Sequence, residues 1–457
     1  MNFLNQDDTI CALSTSAGMG AIALIRLSGK ESIGITEKIF SKSLQDKASH
    51  TAHFGYLKDA EELIDEVVVT LFKNPASFTG QDSVEIACHG SVYIQERILN
   101  VLIENGARMA GPGEFSMRAF MNGKMDLSQT EAVADLISSS SAAAHKVAMH
   151  QMRGGFSKEI NELREGLLTF ASLVELELDF SEEDVEFADR QQLQALVKEV
   201  KRKVNSLLAS FKLGNVIKNG VPIAIIGSPN AGKSTLLNAL LNEEKAIVSD
   251  IAGTTRDVIE DTIILNGIQF RFIDTAGIRD TKDTIERLGI ERAYDQIRKA
   301  AVILLLIDLK STNQNLALSQ IEKFSSPGLK ADQVLIPVFN KIDEVDAADF
   351  PALEGKGLFI SAKNRINTDG LIAQLSETVG SYGSDDQTIV TNVRHFEILK
   401  KCDHSLIKVE EGLQLQISGD LLAMDIRETL HHLGEITGQI TTDDLLGNIF
   451  ANFCIGK

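Results

Sequence analysis

The chain has 457 residues, 44% hydrophobic and 24% charged, with a net charge of −19. That length suits two or three domains of ordinary globular composition, and so acidic a chain repels phosphate, which excludes a general nucleic-acid binder unless a local basic patch or a partner supplies the contact. Its four cysteines, Cys11, Cys88, Cys402 and Cys454, form no CxxC pair, so no zinc ribbon or disulfide framework is indicated and a reducing, cytoplasmic location is expected.

In chain order, the opening MNFLNQDDTI lacks an apolar stretch behind a basic start and does not read as a signal peptide. As far as Gly111, short strand-like runs (GAIALIRL, DEVVVTLF, DSVEIAC) mix with turns and one or two helices, which predicts a compact α/β domain. From about Ser116 the texture becomes helical. Leu193, Val197, Val200, Val204, Leu207 and Leu208 recur at three- and four-residue spacing and predict an amphipathic helix. From Val221, the strands VPIAIIG, IQFRFIDTAG, AVILLLID, QVLIPVFNK and KGLFISAK alternate with helices, the rhythm of a mainly parallel βαβ sheet. The run from Ala300 to Ile307 is too short to span a bilayer and reads as a buried parallel strand, so no membrane anchor is expected. GSYGSDD, near residues 380–384, reads as a linker, and helices resume from Asn392. The expected fold class is multidomain α/β plus all-α: an N-terminal α/β domain at 1–115, a helical domain at 116–216 and 381–457, and a Ras-like P-loop domain at 217–380 inserted in it.

GSPNAGKS, Gly227 to Ser234, matches the phosphate-binding loop and lies between a strand and a helix. Its glycines let backbone N–H groups and a helix N-terminus surround a phosphate, Lys233 supplies a point charge, and Ser234 a hydroxyl for Mg²⁺. Downstream, DTAG (Asp274, Thr275, Ala276, Gly277) suits Mg²⁺ and the γ-phosphate. NKID follows, with Asp343 to accept from the guanine edge and Lys341 to cover the base beside Asn340. SAK (Ser361, Ala362, Lys363) suits the base-contacting loop. In this order the motifs resemble the P-loop GTPases. After DTAG, where GTPases similar to Ras carry a water-orienting glutamine, stands Ile278, which cannot hydrogen-bond to water. Asn230 and the stretch Ser249 to Asp257 could form an oxygen cage for a monovalent cation in place of an arginine finger. Glu286 reads as either a water-orienting carboxylate or a solvated helix surface.

GSPNAGKSTLLN, DIAGTTRD, DTAGIR, IERLGIERA and the terminal FCIGK together resemble the MnmE family, also called TrmE: GTPases that modify the wobble uridine of tRNA. The resemblance extends along the whole chain through DTICALST, GAIALIRLSG, ASFTGQDSVEI, CHG and GPGEFSMRAFMNGKMDLSQTEAVADLI. It implies K⁺ held by Asn230, Ser249, Ile251 and Thr254, and Mg²⁺ held by Ser234 and Thr255. Glu286 is implied to orient water, and Thr254 is implied as a further catalytic residue. GTP contacts are implied at Asn230, Ala231, Gly232, Lys233, Ser234 and Thr235; at Ser249, Asp250, Ile251, Ala252, Gly253, Thr254 and Thr255; at Asp274 to Gly277; and at the NKID and SAK residues. The N-terminal domain resembles the tetrahydrofolate-binding domain of aminomethyltransferases, which implies a homodimer and a folate site at Arg26, Glu85, Lys124 and Lys457. The implied reaction adds a one-carbon unit from methylene-tetrahydrofolate, with an amine, to C5 of the uridine. It needs the FAD-binding partner MnmG (GidA), in a heterotetramer or larger assembly, to supply flavin and most tRNA contacts. One departure stands out: CHGSVYI lacks the second glycine of an HGG stretch, which puts the local loop geometry in question. Two other classes fit parts of the chain: a ribosome-assembly GTPase similar to Era or Der, without modification activity, and a stand-alone folate-dependent aminomethyltransferase.

The tail IFANFCIGK places Cys454 at the spacing of a prenylation box, but Gly456 and Lys457 fit such a box badly. Leu446, Ile449, Phe450 and Phe453 predict one apolar face of a helix favoured by Asp443 and Asp444 at its start. Gly456 is then expected to turn the chain outward. Cys454 reads either as a buried, inert thiol or, on the resemblance, as a thiolate brought to the folate region.

Overall fold

The computed structural model describes residues 8–179, 190–241, 247–248, 261–273, 297–325, 329, 333–380, 388–451 and 453–456. The chain divides into two compact units, the first of Met1–Ile137, Ala148–Val204 and Glu397–Lys457, the second of Ser138–Val147 and Asn205–Phe396.

The first unit opens with strands β1 (Ile10–Leu13), β2 (Ile22–Ser28), β3 (Thr51–Asp59), β4 (Glu62–Phe72), β5 (Ser83–His89) and β6 (Arg108–Met109). Among the described residues they form one sheet in the order β3-β4-β5-β2-β1-β6, antiparallel except for the β1–β6 pair. Alternation along the strands gives the sheet two different faces. Ala23, Ile25 and Leu27 of β2 and Val84, Ile86 and Cys88 of β5 are buried with Ile33 and Ile39 of α1 (Ser32–Ile39) and Ile98, Val101 and Leu102 of α2 (Val92–Glu104). Each such aliphatic side chain contributes about 1.5–3 kcal/mol by burial. The other face carries the opposed pairs Phe54–Val68, Val68–Ala87, Leu24–Ala87, Thr70–Glu85 and Arg26–Glu85.

The departure at CHGSVYI proves harmless. Gly90 is the position that needs glycine, because a Cβ there would lie 2.3 Å from the Gly20 carbonyl oxygen. Ser91 sits at φ −70° and ψ 132° ahead of α2, a conformation open to any residue.

Helices α3 (Glu114–Met121), α4 (Leu127–Ser138), α5 (Ala142–Met152), α6 (Gly155–Asp179) and α7 (Arg190–Asn219) follow. In α7 the predicted stripe holds: Leu193, Val197, Val200, Val204 and Leu207 are buried, and Leu208 is half-buried.

The second unit is built on β7 (Val221–Gly227), β8 (Ile247–Val248), β9 (Asp261–Leu265), β10 (Ile268–Phe272), β11 (Val302–Asp308), β12 (Val334–Asn340) and β13 (Leu358–Ile360), with α8 (Lys233–Leu241), α9 (Gln314–Ser325) and α10 (Thr368–Gly380). The sheet order is β13-β12-β11-β7-β10-β9-β8, parallel from β13 to β10 and antiparallel beyond. Strand β11, the apolar run of the sequence, is buried at every position in the middle of the sheet. This is the expected P-loop domain. The linker at GSYGSDD falls outside the described residues apart from Gly380.

Helices α11 (Val393–Gln414), α12 (Gly419–Thr437) and α13 (Asp443–Phe450) complete the chain. In the first unit α12 packs along α6, with Ala423 against Val174, so segments on either side of the inserted P-loop domain join. In α13 the Thr442 hydroxyl oxygen accepts from the Leu445 N–H at 3.3 Å, and Asp443 and Asp444 occupy the first turn. Leu446 and Phe450 are buried with Met117 and Leu127, while Ile449 and Phe453 pack half-buried against them, which is the predicted apolar face.

One expectation for the tail is overturned. Gly456 does not turn outward. It lies at φ 93° in the left-handed region, buried so close to β1 that a Cβ would stand 2.3 Å from the Leu13 carbonyl oxygen, and its own carbonyl accepts from the Ser14 hydroxyl at 3.2 Å. Ile455 forms an isolated bridge with Pro112. Of the two readings of Cys454, the buried thiol does not hold, since the residue is exposed.

Candidate functional site

Strand β7 ends at Gly227, and the chain reaches α8 through a loop bent by left-handed residues, Asn230 at φ 64° and Gly232 at φ 98°. Glycine is obligatory at 232, since a Cβ there would fall 2.4 Å from Asn340 Nδ2. Lys233 Nζ donates to the carbonyls of Gly227 and Ser228, both at 2.9 Å, so the ammonium is folded over the loop, and burial pushes its pKa down. Asn230 is exposed on the rim, Ala231 buried, Ser234 half-buried and Thr235 exposed in the first turn of α8.

The base-side motifs lie at the carboxyl edge of the same sheet, where α/β folds take ligands. Asn340 is buried at the end of β12. Its Nδ2 donates to the Ala231 carbonyl at 2.8 Å and its Oδ1 accepts from the Ala362 N–H at 3.0 Å, so one amide ties the phosphate loop to the SAK loop. Asp343 accepts from the Ser361 hydroxyl at 2.6 Å. That bond, with Lys363 and Lys341 nearby, holds its carboxyl below the usual range. Lys341 stands at φ 73°, with Nζ 2.7 Å from Asp308 Oδ2. Asp308 was not singled out in the sequence. Its signal was the acidic residue closing an otherwise apolar strand.

The described residues thus bring Asn230 to Thr235 together with Asn340, Lys341, Asp343, Ser361, Ala362 and Lys363. Ser249, Asp250, Ile251, Ala252, Gly253, Thr254, Thr255, Asp274, Thr275, Ala276, Gly277, Ile278, Glu286 and Lys457 lie outside the described residues.

In the first unit Arg26 and Glu85 face each other across β2 and β5. Arg26 Nε and Nη2 both donate to Glu85 Oε1, at 3.0 and 2.7 Å. The guanidinium stands over the rings of Phe78 and Phe115 at 5.6 and 5.9 Å. Exposed Lys124 is not in this pair. Its Nζ donates to the Pro75 carbonyl at 3.0 Å, while its stem lies beside Gly80, so it meets the far side of the loop that carries Phe78. Sequence reasoning missed Arg118, 1% exposed, whose guanidinium donates to the Asp8 carbonyl, the Asp8 carboxylate, Glu114 and Gln81. A buried arginine is rare unless fully paired, and nothing in the local sequence distinguishes it from a surface charge on α3. The tail joins this unit through the Gly113 N–H, which donates to the Cys454 carbonyl at 3.3 Å.

A glycine loop that wraps a helix N-terminus, tied by one asparagine to an aspartate-bearing base loop, defines a P-loop GTPase fold in the second unit. Comparison with known proteins takes this further. The MnmE helical domain matches residues 127–454, and the N-terminus of the GTP-binding protein TrmE matches residues 9–124. A tRNA modification GTPase MnmE of Cytophaga hutchinsonii is 54% identical over 99% of this chain and 98% of its own length. Those of Bacteroides thetaiotaomicron and Christiangramia forsetii are 53% and 51% identical over 99% of this chain, covering 100% and 99% of their own lengths. The chain belongs to the MnmE family of tRNA modification GTPases. Among the described residues, no helix is long and apolar enough to cross a membrane.

Proposed function

We propose that the chain couples GTP hydrolysis to modification of the wobble uridine of tRNA, acting with the flavin-carrying partner MnmG. The observation that supports the nucleotide part of this reading is the Asn340 bracket, which ties the phosphate loop to the SAK loop at one sheet edge. Family membership favours it over a ribosome-assembly GTPase or a stand-alone aminomethyltransferase.

For hydrolysis, Lys233 receives the β- and γ-phosphates and Asp343 accepts from the guanine edge. The Ser234 hydroxyl, half-buried in the first turn of α8, is an oxygen donor suited to Mg²⁺ together with Thr255. Asn230 offers an amide oxygen on the exposed rim, suited to K⁺ with Ser249, Ile251 and Thr254. When bound, K⁺ supplies the positive charge that an arginine finger supplies elsewhere. Glu286 orients the attacking water, a role that Ile278 cannot take, and Thr254 also takes part in catalysis. The phosphate and base contacts extend over the residues assigned from the sequence.

For the modification, the open face of the first unit's sheet serves as the homodimer face. Phe54, Tyr56 and Val68 are exposed there, next to the Arg26–Glu85 pair. Both hydrogen bonds from Arg26 fall on Glu85 Oε1, so the second oxygen suits a donor edge of a pterin, while Lys124 and Lys457 suit an anionic glutamyl tail. Methylene-tetrahydrofolate, when bound, brings the one-carbon unit, and Cys454 presents an exposed thiol on the same unit.

The test is a deletion strain complemented with the wild type or with Glu286→Ala, read by mass spectrometry of tRNA nucleosides and by GTP turnover in K⁺ and Na⁺ buffers. The wild type is expected to restore the modified uridine and to turn over GTP at least about 10-fold faster in K⁺, whereas Glu286→Ala keeps nucleotide affinity and loses turnover. Intact uridine modification in the deletion strain would sink the reading.

A further inference from the structure

Asp308 closes β11 and belongs to none of the motifs that mark the nucleotide site. It is buried, yet it is tied down on both carboxylate oxygens: Oδ2 accepts from Lys341 Nζ at 2.7 Å and Oδ1 from the Lys310 N–H at 3.0 Å. Burial by itself would raise its pKa. The bonds from Lys341 and Lys310 outweigh burial and hold the carboxyl below the usual range, so it is a carboxylate. The lysine is constrained independently. Its backbone adopts φ 73°, which a residue with a side chain holds only when its surroundings over-determine it. On one side Asn340 is fixed through both ends of its amide, and on the other the Ile342 N–H donates to the Ile360 carbonyl at 3.3 Å.

We propose that Asp308 is the positioning residue for Lys341, holding its ammonium so that the four-carbon stem lies as an apolar cover across the face of the guanine base. A lysine in solution spreads over many rotamers, and fixing the head group removes that entropy before the nucleotide arrives. The division of labour is then chemical. Asp343 reads the donor edge of guanine, whereas Asp308, acting through Lys341, strengthens binding of any purine by its face. The proposal rests on the guanine-side assignment of Lys341 and Asp343.

The test uses the full chain and four variants, Asp308→Asn, Asp308→Glu, Lys341→Ala and the double variant Asp308→Asn/Lys341→Ala, with affinities for GDP and IDP measured by calorimetry. Asp308→Asn is expected to weaken GDP and IDP by the same factor, about 10-fold, the scale of a hydrogen bond to a charged group. Asp308→Glu, which keeps the charge, recovers part of that loss. The double variant binds no more weakly than Lys341→Ala alone, because both changes remove one interaction. Unchanged affinity in Asp308→Asn, or losses that multiply in the double variant, would overturn the proposal and leave Asp308 as a turn-forming residue for Lys310. Asp343→Asn is the separate control: it should shift preference from GDP to XDP. If it does not, the guanine-side assignment fails on its own account.

Discussion

The amide of Asn340 shows how much one side chain decides. It is buried, and it satisfies a carbonyl of the phosphate loop and an N–H of the base loop at once. Removing it leaves both partners without their bond, at about 1–3 kcal/mol for each group left unsatisfied. Asn340→Ala is therefore expected to weaken GDP binding by at least about 10-fold. Isothermal titration with GDP checks this, and an unchanged affinity would show that the two loops hold their places unaided. The motif was legible from the sequence as a base-recognition signature. The direction of the side chain was not, because it depends on where β7, β12 and β13 stand relative to one another.

At the scale of elements, the tail helix α13 was legible from apolar residues at helical spacing and acidic residues at its start, although Phe453 falls beyond its end and the Thr442 cap went unread. Its docking site was not. The receiving surface, Met117 and Leu127 of α3 and α4, lies more than 300 residues upstream, and no local pattern announces it. The same limit explains Gly456, whose local context suggested an outward turn and whose place against Leu13 is a tertiary fact. Phe450, 1% exposed, carries the docking. Phe450→Ala is expected to cost about 3–5 kcal/mol locally and to free the tail. Hydrogen exchange at residues 443–456 should then accelerate, and uridine modification should fall while GTP turnover is retained. Loss of both activities together would mean that the helix supports the whole protein.

For the molecule as a whole, acid stability depends on an ionic cluster in which Arg118 and Glu114 are buried and Arg108 and Asp8 reach the surface. Burial opposes the charges of Asp8 and Glu114, but Arg108 and Arg118, with the Gly111 N–H on Glu114, outweigh it and hold both carboxyls below their ordinary values of 3.8 and 4.5. Groups with depressed folded values stabilise the fold fully above those ordinary values and lose that contribution as pH falls through the depressed ones. Wild-type stability should therefore decline below about pH 4. Glu114→Gln should be less stable than the wild type at neutral pH, and the difference should shrink as the solution is acidified. Equal spacing of the two denaturation curves at every pH would count against the cluster. Periodicity and the phosphate-loop motif made the parallel strands of the P-loop domain legible, but β1, β3 and β6 of the first unit and β8 and β9 of the second were not, being short or lacking a clean apolar pattern. The cluster was not legible either, because its members come from the N-terminal segment, β6 and α3, and only the fold brings them together.

The hydrogen bond from Ser14 to the Gly456 carbonyl joins residues 442 positions apart. A ribosome working at about 5–20 residues per second needs on the order of 20–60 s to pass from Lys124 to Cys454. During that interval the N-terminal sheet and the P-loop domain are both available to fold, while Ser14, Pro112 and Gly113 have yet to meet their partners in the tail. Closure of the first unit therefore waits on a segment synthesised after the P-loop domain.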